Sequence, residues 1–411
     1  MKVLHVVAGN LMGGAARGAY WLHLGLLEDG VQSHMLISGR KQCDDRSVST
    51  IRSSWLSVAL SEIRARLDKV LTAVYFKRKK LIFSSGFFGI DITERPEYKR
   101  ADIIHLHWIN SGFVNFKYLN KIKKPLVWTL RDMWPMTGGC HLAEAIGCDK
   151  YKTGCGSCEQ LNSRFENDLS RHIILRKRKF LPNKTKVVAI SPWLEKCAKD
   201  SFMFKGFDVR SIYNNINTNI FYPEDKQSSQ KSLGINTQKK VVLIGASSIR
   251  QFYKGFSKFI ESLSYLSNKN IFLVFFGEVD DDQCKSLGFD YLNLGLVKDD
   301  GVLRSAYSAA DVFVAPSVMD AFGKTIAEAM ACATPVVCFD ATGPQSIVLH
   351  LENGYRALPF SPESLAEGVN WVLSYPDYQS LSDKALKNAV SRFDSSVIAK
   401  EYIDLYKELL T

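Results

Sequence analysis

Short apolar segments alternate along this chain with longer segments in which apolar residues recur at helical spacing. A short apolar segment bounded by Gly, Asn or Ser is typical of a buried strand. In the first half, a helix is predicted near Ala16–Glu28, directly after the first such segment. The strands predicted for this half are Val3–Val7, His34–Ser38, Ile103–His107, Leu126–Leu130, Lys186–Ile190 and Val209–Tyr213.

The alternation restarts after a polar stretch at residues 215–235, which is rich in Asn, Ser and Lys and which we interpret as an interdomain linker. Helices are predicted over Phe256–Leu266, Val302–Ala309 and Ser395–Leu410. The strands predicted for this half are Val241–Ala246, Ile271–Phe276, Tyr291–Leu294, Val312–Ala315 and Pro335–Cys338.

Strands that alternate with helices indicate an α/β fold, with parallel sheets covered on both faces. We predict two doubly wound, Rossmann-like domains facing each other across a cleft, at residues 1–214 and 236–394, followed by a C-terminal helix within 395–411. A length of 411 residues suits two such domains, and a hydrophobic content of 46% is that of a globular chain. The N-terminal apolar stretch is too short for a secretory signal, so we expect a cytoplasmic protein with reduced thiols.

The net charge of +11 is concentrated in the first half. Residues 1–214 hold 35 Lys and Arg against 19 Asp and Glu, whereas residues 215–411 hold 18 against 23. The densest basic stretches lie at 75–83, 117–124 and 171–186, and the first interleaves aromatic residues with cations. This pattern favours peripheral contact with an anionic membrane surface. A non-catalytic nucleic-acid-binding protein is the alternative, although no aromatic stacking platform or helix-turn-helix signal accompanies the charge.

A nicotinamide-dependent Rossmann enzyme is a second alternative. Its fingerprint is Gly-x-Gly-x-x-Gly after the first strand, with an acidic residue about 20 positions later. Here the loop reads GNLMGGAARG and the second strand ends in ISGR, without an acidic residue. The sequence therefore argues against a dinucleotide site.

The segment 312–335, VFVAPSVMDAFGKTIAEAMACATP, carries the most specific chemistry. It predicts a buried strand, a turn and a helix that begins near Phe322–Lys324, with Asp320 before the helix and Glu328 in its second turn. A helix N-terminus presents unpaired N–H groups and a partial positive charge, which suit an anionic ligand. Two carboxylates placed around such an end suit a sugar nucleotide, with hydroxyls at each carboxylate and a diphosphate between them.

This segment resembles the Glu-x7-Glu signature of retaining GT-B glycosyltransferases of family 4, with Asp320 in place of the first Glu. The resemblance implies that Asp320 positions the donor sugar, that Glu328 binds the ribose, and that the C-terminal helix packs on the first domain. It also implies donor contacts from the helix start and from two loops. These expected donor-binding residues are Gly13, Gly14, Leu296, Val297, Phe322, Gly323, Lys324 and Thr325.

The resemblance implies two cations after the first strand of the second domain. In GASSIRQFYKGF, Lys254 before Gly255 matches well, and Arg250 matches at a less usual spacing. Both are expected to neutralise charge on the departing nucleoside diphosphate. A metal-dependent GT-A enzyme would need an Asp-x-Asp site, but the letters at 280–282 lie in a polar loop of the second domain.

In the first domain the family often carries a His near the donor sugar, where this chain has Arg131 followed by Asp132. Arg131 cannot act as a general base, but it could hold a phosphate or an acidic sugar. His105 and His107 share one face of the preceding strand, and either could replace the missing His. We therefore expect donor or acceptor contacts from Arg131, Asp132 and His107.

Four cysteines cluster within 19 residues, at Cys140, Cys148, Cys155 and Cys158. In a reducing compartment, tetrahedral thiolate binding of a structural zinc ion explains such a cluster, and His141 is a substitute ligand. Free thiols or two disulfides are the alternatives. Family 4 chemistry itself needs no cofactor.

The segment WTLRDMW followed by TGGC resembles enzymes of bacterial O-antigen, capsule and exopolysaccharide assembly. The resemblance implies a retaining glycosyltransferase that uses a nucleoside-diphosphate sugar and a glycan or polyprenyl-diphosphate-linked acceptor. It further implies that the enzyme works in lipopolysaccharide-type synthesis at the inner face of the plasma membrane.

Overall fold

Two parallel β-sheets organise the chain, each covered by helices, in a computed structural model that describes residues 1–41, 44–246 and 249–411. The first unit comprises Met1–Tyr213 and Ile398–Thr411, and the second comprises Asn214–Val397. No helix within the described ranges is both long and apolar enough to cross a bilayer.

The first unit contains a seven-stranded sheet in the order β3-β2-β1-β4-β5-β6-β7, with every neighbouring pair parallel. Its strands are β1 Lys2–Val7, β2 Gln32–Ile37, β3 Val48–Thr50, β4 Ile103–Leu106, β5 Leu126–Leu130, β6 Lys186–Ala189 and β7 Val209–Ser211. Its helices are α1 Gly14–Glu28, α2 Trp55–Val70, α3 Pro96–Arg100, α4 Leu169–Phe180 and α5 Pro192–Asp200. Short 3-10 turns lie at Ile92–Glu94, Phe116–Lys121, Trp134–Met136, Glu144–Ile146 and Lys150–Lys152.

The second unit contains a six-stranded sheet, also parallel throughout, in the order β10-β9-β8-β11-β12-β13. Its strands are β8 Lys240–Gly245, β9 Ile271–Phe276, β10 Asp290–Asn293, β11 Val312–Ala315, β12 Val336–Phe339 and β13 Gly354–Ala357. Its helices are α6 Lys226–Ser232, α7 Phe256–Ser262, α8 Asp281–Lys285, α9 Asp300–Ala309, α10 Lys324–Ala331, α11 Pro362–Leu373 and α12 Tyr378–Phe393. Short 3-10 turns lie at Phe252–Lys254, Leu263–Tyr265 and Gly343–Ser346.

The last helix, α13 (Ser395–Leu410), belongs to the first unit from Ile398 onward. Tyr402 and Tyr406 are buried there in one apolar cluster with residues of α1, β1, β4, β5 and β6. Their hydroxyls hydrogen-bond Thr129 Oγ1 at 2.8 Å and His105 Nδ1 at 2.6 Å. The end of the chain therefore completes the core of the unit in which the chain begins.

The polar stretch 215–235 is part of the second unit and contains α6, which packs on α9. Asp225 caps α6 through a bond from the Ser228 N–H, and Ser229 is buried. A segment with so few apolar residues does not show helical periodicity, so sequence pattern alone indicated a linker there.

Candidate active site

Each sheet has one point where the strand order reverses, between β1 and β4 in the first unit and between β8 and β11 in the second. Loops that leave the carboxyl ends of such a strand pair diverge, and the crevice between them is where doubly wound folds bind ligands. In the second unit, the loop after β8 leads to Lys254 and the loop after β11 leads to Asp320. The topology alone therefore brings two of the predicted catalytic residues to one place.

Backbone contacts join these two loops. The N–H groups of Val318 and Met319 donate to the Tyr253 carbonyl at 2.8 and 3.2 Å. Gly255 has a φ of +69°, and a Cβ there would lie 1.7 Å from the carbonyl oxygen of Pro316. Only glycine permits this approach, which explains why a glycine follows Lys254.

Lys254 and Asp320 form an ion pair, with 2.7 Å between Nζ and Oδ2. The other carboxylate oxygen, Oδ1, accepts hydrogen bonds from the N–H groups of Phe322 and Gly323 at 3.2 and 3.0 Å. Burial raises the pKa of Asp320, but the Lys254 charge and these hydrogen bonds outweigh burial, so the pKa is lowered overall. Asp320 is therefore an ionised carboxylate, and its Oδ1 holds the turn that leads into α10.

The side chain of Phe322, one of the expected donor-binding residues, lies in the core of the second unit. It is buried and packs edge to face on Phe393, with ring centroids 5.4 Å apart. Gly323 follows with a φ of +102° at the helix cap. Phe322 therefore anchors the start of α10 in the core, and only its backbone faces Asp320.

Glu328 is buried on α10, only 2% exposed. Tyr307 of α9 donates its hydroxyl to Glu328 Oε2 at 3.2 Å, and Lys324 Nζ lies 3.5 Å from Oε1. A buried carboxylate is tolerated because it has such partners. Lys324 and Glu328 thus interact one helical turn apart. Thr325, another of the expected donor-binding residues, is half-buried.

The structure does not bring Arg250 to the Lys254–Asp320 pair. The side chain of Arg250 is 62% exposed; its Nε donates to the Glu278 carbonyl at 3.1 Å, and the guanidinium lies 3.8 Å from the Asp280 carboxylate. These contacts tie Arg250 to the loop after β9, so it lies apart from Lys254 in this arrangement.

The predicted nucleobase loop follows β10 at the edge of the sheet. The Gly277 N–H donates to the Gly295 carbonyl at 2.6 Å, which joins it to the loop after β9. Leu296 is 48% exposed and Val297 is half-buried. Both residues follow the carboxyl end of a strand, as Lys254 and Asp320 do in the loops after β8 and β11.

In the first unit, Gly13 and Gly14 begin α1 at the carboxyl end of β1. Gly13 has a φ of −73°, and a Cβ at either position would meet no atom within 4 Å. Folding therefore does not require glycine at these two positions. Open space in front of a helix N-terminus leaves room for the backbone to approach an anion.

Arg131 follows β5 and is joined to a chain of buried histidines. Its guanidinium donates to His107 Nδ1 at 3.3 Å, and His107 Nε2 lies 2.9 Å from His5 Nδ1. A guanidinium can only donate, so His107 carries its proton on Nε2 and His5 carries its proton on its own Nε2. Burial lowers the pKa of Arg131 to about 10, which leaves it charged at neutral pH.

The histidines themselves are neutral. Burial, followed by the nearby charged and imidazole groups, holds the pKa values of His5, His105 and His107 well below the usual 6.5. His105 uses both ring nitrogens, on Tyr406 and on Thr129 Oγ1 at 2.7 Å, so it is a core residue and not a replacement for the family His. His107 is 1% exposed and holds the Arg131 guanidinium through their hydrogen bond.

Asp132 has a role that the sequence did not indicate. Its carboxylate accepts hydrogen bonds from Trp108 Nε1 at 2.8 Å and from the Trp134 N–H at 2.9 Å, and it pairs with His141 Nδ1 at 2.7 Å. The other ring nitrogen of His141 lies 3.0 Å from Ser84 Oγ. Asp132 thus holds the loop after β5 together, and both ring nitrogens of His141, the suggested substitute zinc ligand, are engaged in hydrogen bonds.

Two groups of side chains are candidates for a metal ion. Among the described residues, His5, His105 and His107 alone have three ligating atoms within 4.8 Å of one another. These imidazoles are already hydrogen-bonded to one another or to Tyr406, Thr129 and Arg131, and a guanidinium disfavours a neighbouring cation. This group therefore does not fit a metal.

The four clustered cysteines are the second group. They line one small cavity in the first unit, with room for about one water-sized sphere. All four are free thiols, and Cys140, Cys148 and Cys158 are buried.

Sequence reasoning missed Thr342 and Gly343, which hydrogen-bond the backbone of Asp320. The Asp320 N–H donates to Thr342 Oγ1 at 3.2 Å, and the Gly343 N–H donates to the Asp320 carbonyl at 2.9 Å. Thr342 has a φ of +53°, and a Cβ at Gly343 would lie 2.5 Å from the Ala321 carbonyl carbon. The Thr-Gly-Pro sequence after β12 was the available signal, because a strained turn beside a strand end often marks a site.

The family description "Glycosyltransferase Family 4" matches residues 12–220, and "Glycosyl transferases group 1" matches residues 225–390. An uncharacterised glycosyltransferase of Methanocaldococcus jannaschii is 28% identical over 351 residues, which cover 82% of this chain and 81% of the relative. The putative colanic acid biosynthesis glycosyl transferase WcaC of Escherichia coli is 24% identical over 423 residues, covering 100% of both chains.

Among solved structures, Anabaena HepE in complex with UDP and glucose is similar, with a TM-score of 0.65 at 18% identity. The alignment covers 99% of this chain and 100% of that one. The predicted fold class is confirmed by two parallel-sheet, Rossmann-like units and by these neighbours. The chain belongs to glycosyltransferase family 4 and is a glycosyltransferase of the GT-B fold.

Proposed function

We propose that this protein is a retaining glycosyltransferase that moves a sugar from a nucleoside-diphosphate donor to a lipid-linked glycan in surface-polysaccharide synthesis. The observation that carries the donor half of this proposal is the Lys254–Asp320 pair at the N-terminus of α10, with Glu328 buried farther along the same helix. A cation, a helix N-terminus and two separated carboxylates supply partners for a diphosphate, for sugar hydroxyls and for ribose.

In the proposed reaction, the acceptor hydroxyl attacks the anomeric carbon from the face that the diphosphate leaves. The bond from that carbon to the phosphate oxygen breaks, the bond to the acceptor oxygen forms, and the acceptor proton passes to the diphosphate. Lys254 and the first N–H groups of α10 stabilise the charge on the diphosphate. Asp320 positions the sugar, Glu328 binds the ribose, and Arg250 reaches the diphosphate after its loop rearranges.

The first unit is proposed to bind the acceptor at a membrane surface. On α2, the side chains of one stripe are apolar and exposed, by 39% to 58%: Leu56, Leu60, Ile63, Leu67 and Val70. They recur at intervals of four and three residues, so they form one face of the helix. The buried residues of α2 are Ser61 and Asp68, so this helix turns its apolar face to solvent and its polar contacts inward.

Basic residues continue this apolar face. Val74 and Phe76 are 70% and 95% exposed, and the exposed cations Lys77, Lys79 and Lys80 follow directly. Each cation near an anionic bilayer contributes about 1 kcal/mol. An apolar face next to a cation cluster fits an anionic lipid surface.

A groove beside α2 supports a diphosphate-linked acceptor. It encloses about 570 Å³ and is lined by Lys69, Arg78, Lys79 and Lys80 together with Trp108. Four cations at the edge of a membrane-facing helix would hold the diphosphate of a polyprenyl-linked glycan while its chain stays in the bilayer. The similarity to a putative colanic acid biosynthesis glycosyl transferase supports a role in polysaccharide synthesis.

The donor proposal is tested by thermal shift against UDP, GDP, ADP and their sugars, followed by transfer to a polyprenyl-diphosphate glycan. One nucleotide should raise the Tm by mass action in wild type and much less in Lys254→Ala. NMR of the product should show the anomeric configuration of the donor. An inverted product would refute the retaining mechanism, and the absence of any nucleotide shift would refute the donor site.

The membrane proposal is tested by co-sedimentation with vesicles of phosphatidylglycerol or of phosphatidylcholine. Leu60, Ile63 and Leu67 changed together to Gln should abolish binding, and Lys77, Arg78, Lys79 and Lys80 changed to Gln should remove its salt-sensitive part. Leu358→Gln is the matched control, because Leu358 is 68% exposed and lies in the second unit. Wild-type binding by the α2 variant, or equal binding to both lipids, would contradict the surface.

A further inference from the structure

We propose that Cys140, Cys148, Cys155 and Cys158 bind one structural Zn²⁺ ion, which ties the loop after β5 to the basic segment 79–84. The four sulfur-bearing residues are separated by up to 18 positions along the chain, yet all of them line one cavity of about the size of a water molecule. Tetrahedral coordination by four thiolates is the usual closed form of a structural zinc site.

One backbone donor already points at a sulfur atom of the cluster: the Gly138 N–H donates to Cys155 Sγ at 3.1 Å. The backbone N–H of Lys150 lies beside Cys148, and the backbone N–H groups of Gln160 and Leu161 lie beside Cys158. A neutral thiol is a weak acceptor, whereas a thiolate is a strong one, so these donors suit metal-bound sulfur.

The sulfur atoms are more widely spaced than a bound ion requires. Cys140 and Cys158 are neighbours, but among the described residues no three of the four sulfurs lie within 4.8 Å of one another. Zinc–sulfur bonds of about 2.3 Å place tetrahedral sulfurs roughly 3.8 Å apart. Binding therefore draws Cys148 and Cys155 inward as the four thiols release their protons.

A buried lysine, whose charged form neighbouring thiolates would favour, can balance the charge of such a site. Four thiolates around Zn²⁺ carry a net charge of about −2, by the charges of the ion and its ligands. Lys177 of α4 is 1% exposed and is an electrostatic neighbour of Cys155 and Cys140. Its Nζ donates to the carbonyls of Trp134 at 2.5 Å and Thr137 at 3.0 Å, in the same loop.

The cysteine loop is also bonded to the basic segment. Gln160 Nε2 donates to the carbonyls of Leu81 and Ile82 at 3.1 and 3.0 Å, and the Lys79 N–H donates to the Gln160 carbonyl at 2.8 Å. The Ser84 N–H donates to the Gly139 carbonyl at 3.0 Å, next to Cys140. An ion that orders Cys140 and Cys158 thereby orders segment 79–84 and the groove that it lines.

The first test is metal analysis of the full-length protein, purified without chelator from zinc-supplemented cells and dialysed. It should contain about one zinc per chain. Cys148→Ser and Cys155→Ser should lower the zinc affinity by more than about 100-fold in competition with a chelating dye, since changes outside the ligands already cost 10- to 100-fold. Cys338→Ser, a buried cysteine of β12, is the matched control and should keep its zinc.

The second test uses wild-type protein and so does not depend on whether the variants fold. Chelation of the zinc should lower the Tm and raise hydrogen exchange in segment 79–84, and added zinc should restore both. Metal-free protein whose Tm does not respond to zinc would overturn the proposal. A Cys140–Cys158 disulfide in protein purified without reductant and without bound zinc would overturn it as well. Neither test depends on the donor or on the reaction.

Discussion

Lys254 Nζ lies 2.7 Å from Asp320 Oδ2, although the two residues are 66 positions apart in the chain. Their side chains are 20% and 24% exposed, so a ligand in solution can reach the pair. The pair joins the loops after β8 and β11, where the strand order of the second sheet reverses. A cation held by a carboxylate is already ordered before a ligand arrives, which lowers the entropic cost of binding one.

The first prediction concerns Lys254→Ala. We expect turnover to fall by roughly 10²-fold, the scale of losing one partner of a developing charge. The free energy of unfolding should fall by about 1 kcal/mol or less, because the pair is partly exposed and Asp320 keeps its two N–H donors. Steady-state kinetics and denaturant unfolding measure the two effects. Lys258→Ala removes an exposed pair with Glu261 on α7 and is the control.

The second prediction concerns the carboxylate that replaces the usual Glu of the family. Activity should decrease in the order wild type, Asp320→Glu, Asp320→Asn. The longer side chain should overfill the pocket, whereas Asn removes the charge and with it about half of the hydrogen-bond strength. Asn keeps a side-chain oxygen that can accept the N–H groups of Phe322 and Gly323, so Asp320→Asn should still fold. Unchanged kcat/KM in Asp320→Asn would show that this carboxylate serves the fold alone.

The third prediction separates binding from chemistry at Glu328. If Glu328 contacts the ribose equally in ground and transition states, Glu328→Gln should raise the donor KM with little change in kcat. Tyr307→Phe should have the same effect to a smaller degree, because the Tyr307 hydroxyl orients the Glu328 carboxylate. A fall in kcat with an unchanged KM would place Glu328 in the chemical step.

The fourth prediction uses the open space in front of α1. Gly14→Ala should raise the free energy of unfolding by up to about 1 kcal/mol, since Ala is the better helix former and its Cβ meets no atom within 4 Å. The same Cβ should lower donor affinity if the loop approaches the diphosphate. A thermal melt and a donor titration on one sample measure both. A variant that is more stable and binds the donor as wild type does would remove Gly14 from the site.

The fifth prediction is a loss of stability in mild acid. The pKa values of His5, His105 and His107 are lowered in the folded state, so the unfolded chain binds more protons below pH 6.5. The stability they contribute is fully present above pH 6.5 and is lost as the pH falls below it, by about 1.4 kcal/mol per histidine per pH unit. Denaturant unfolding between pH 5.5 and 7.5 measures this slope. His105→Gln should reduce this slope by the contribution of one histidine, about 1.4 kcal/mol per pH unit. His172→Gln is the control, because His172 is exposed.

The local pattern of apolar residues was sufficient to predict most of the strands, because such a pattern depends only on residues that are neighbours in the sequence. Every strand predicted from an apolar run is present, displaced by at most two residues at an end. The pattern missed β3, which has three residues, and β13, whose sequence is GYRA. A strand whose side chains are only partly buried carries no continuous apolar run, so nothing local distinguishes it from a loop.

The sequence by itself determined that Asp320, the start of α10 and Glu328 lie close together, since they fall within nine consecutive residues. Only the tertiary structure decided which distant groups meet them. Lys254 reaches Asp320 because Gly255 allows its loop to touch Pro316, whereas Arg250, four residues earlier, turns to Glu278 instead. Likewise, the sequence shows the apolar stripe of α2. That this stripe is exposed is known only from the structure, in which Ser61 and Asp68 are the buried residues of the helix. Periodicity states that a helix has an apolar face, and the packing of the whole unit decides whether that face points to the core or to solvent.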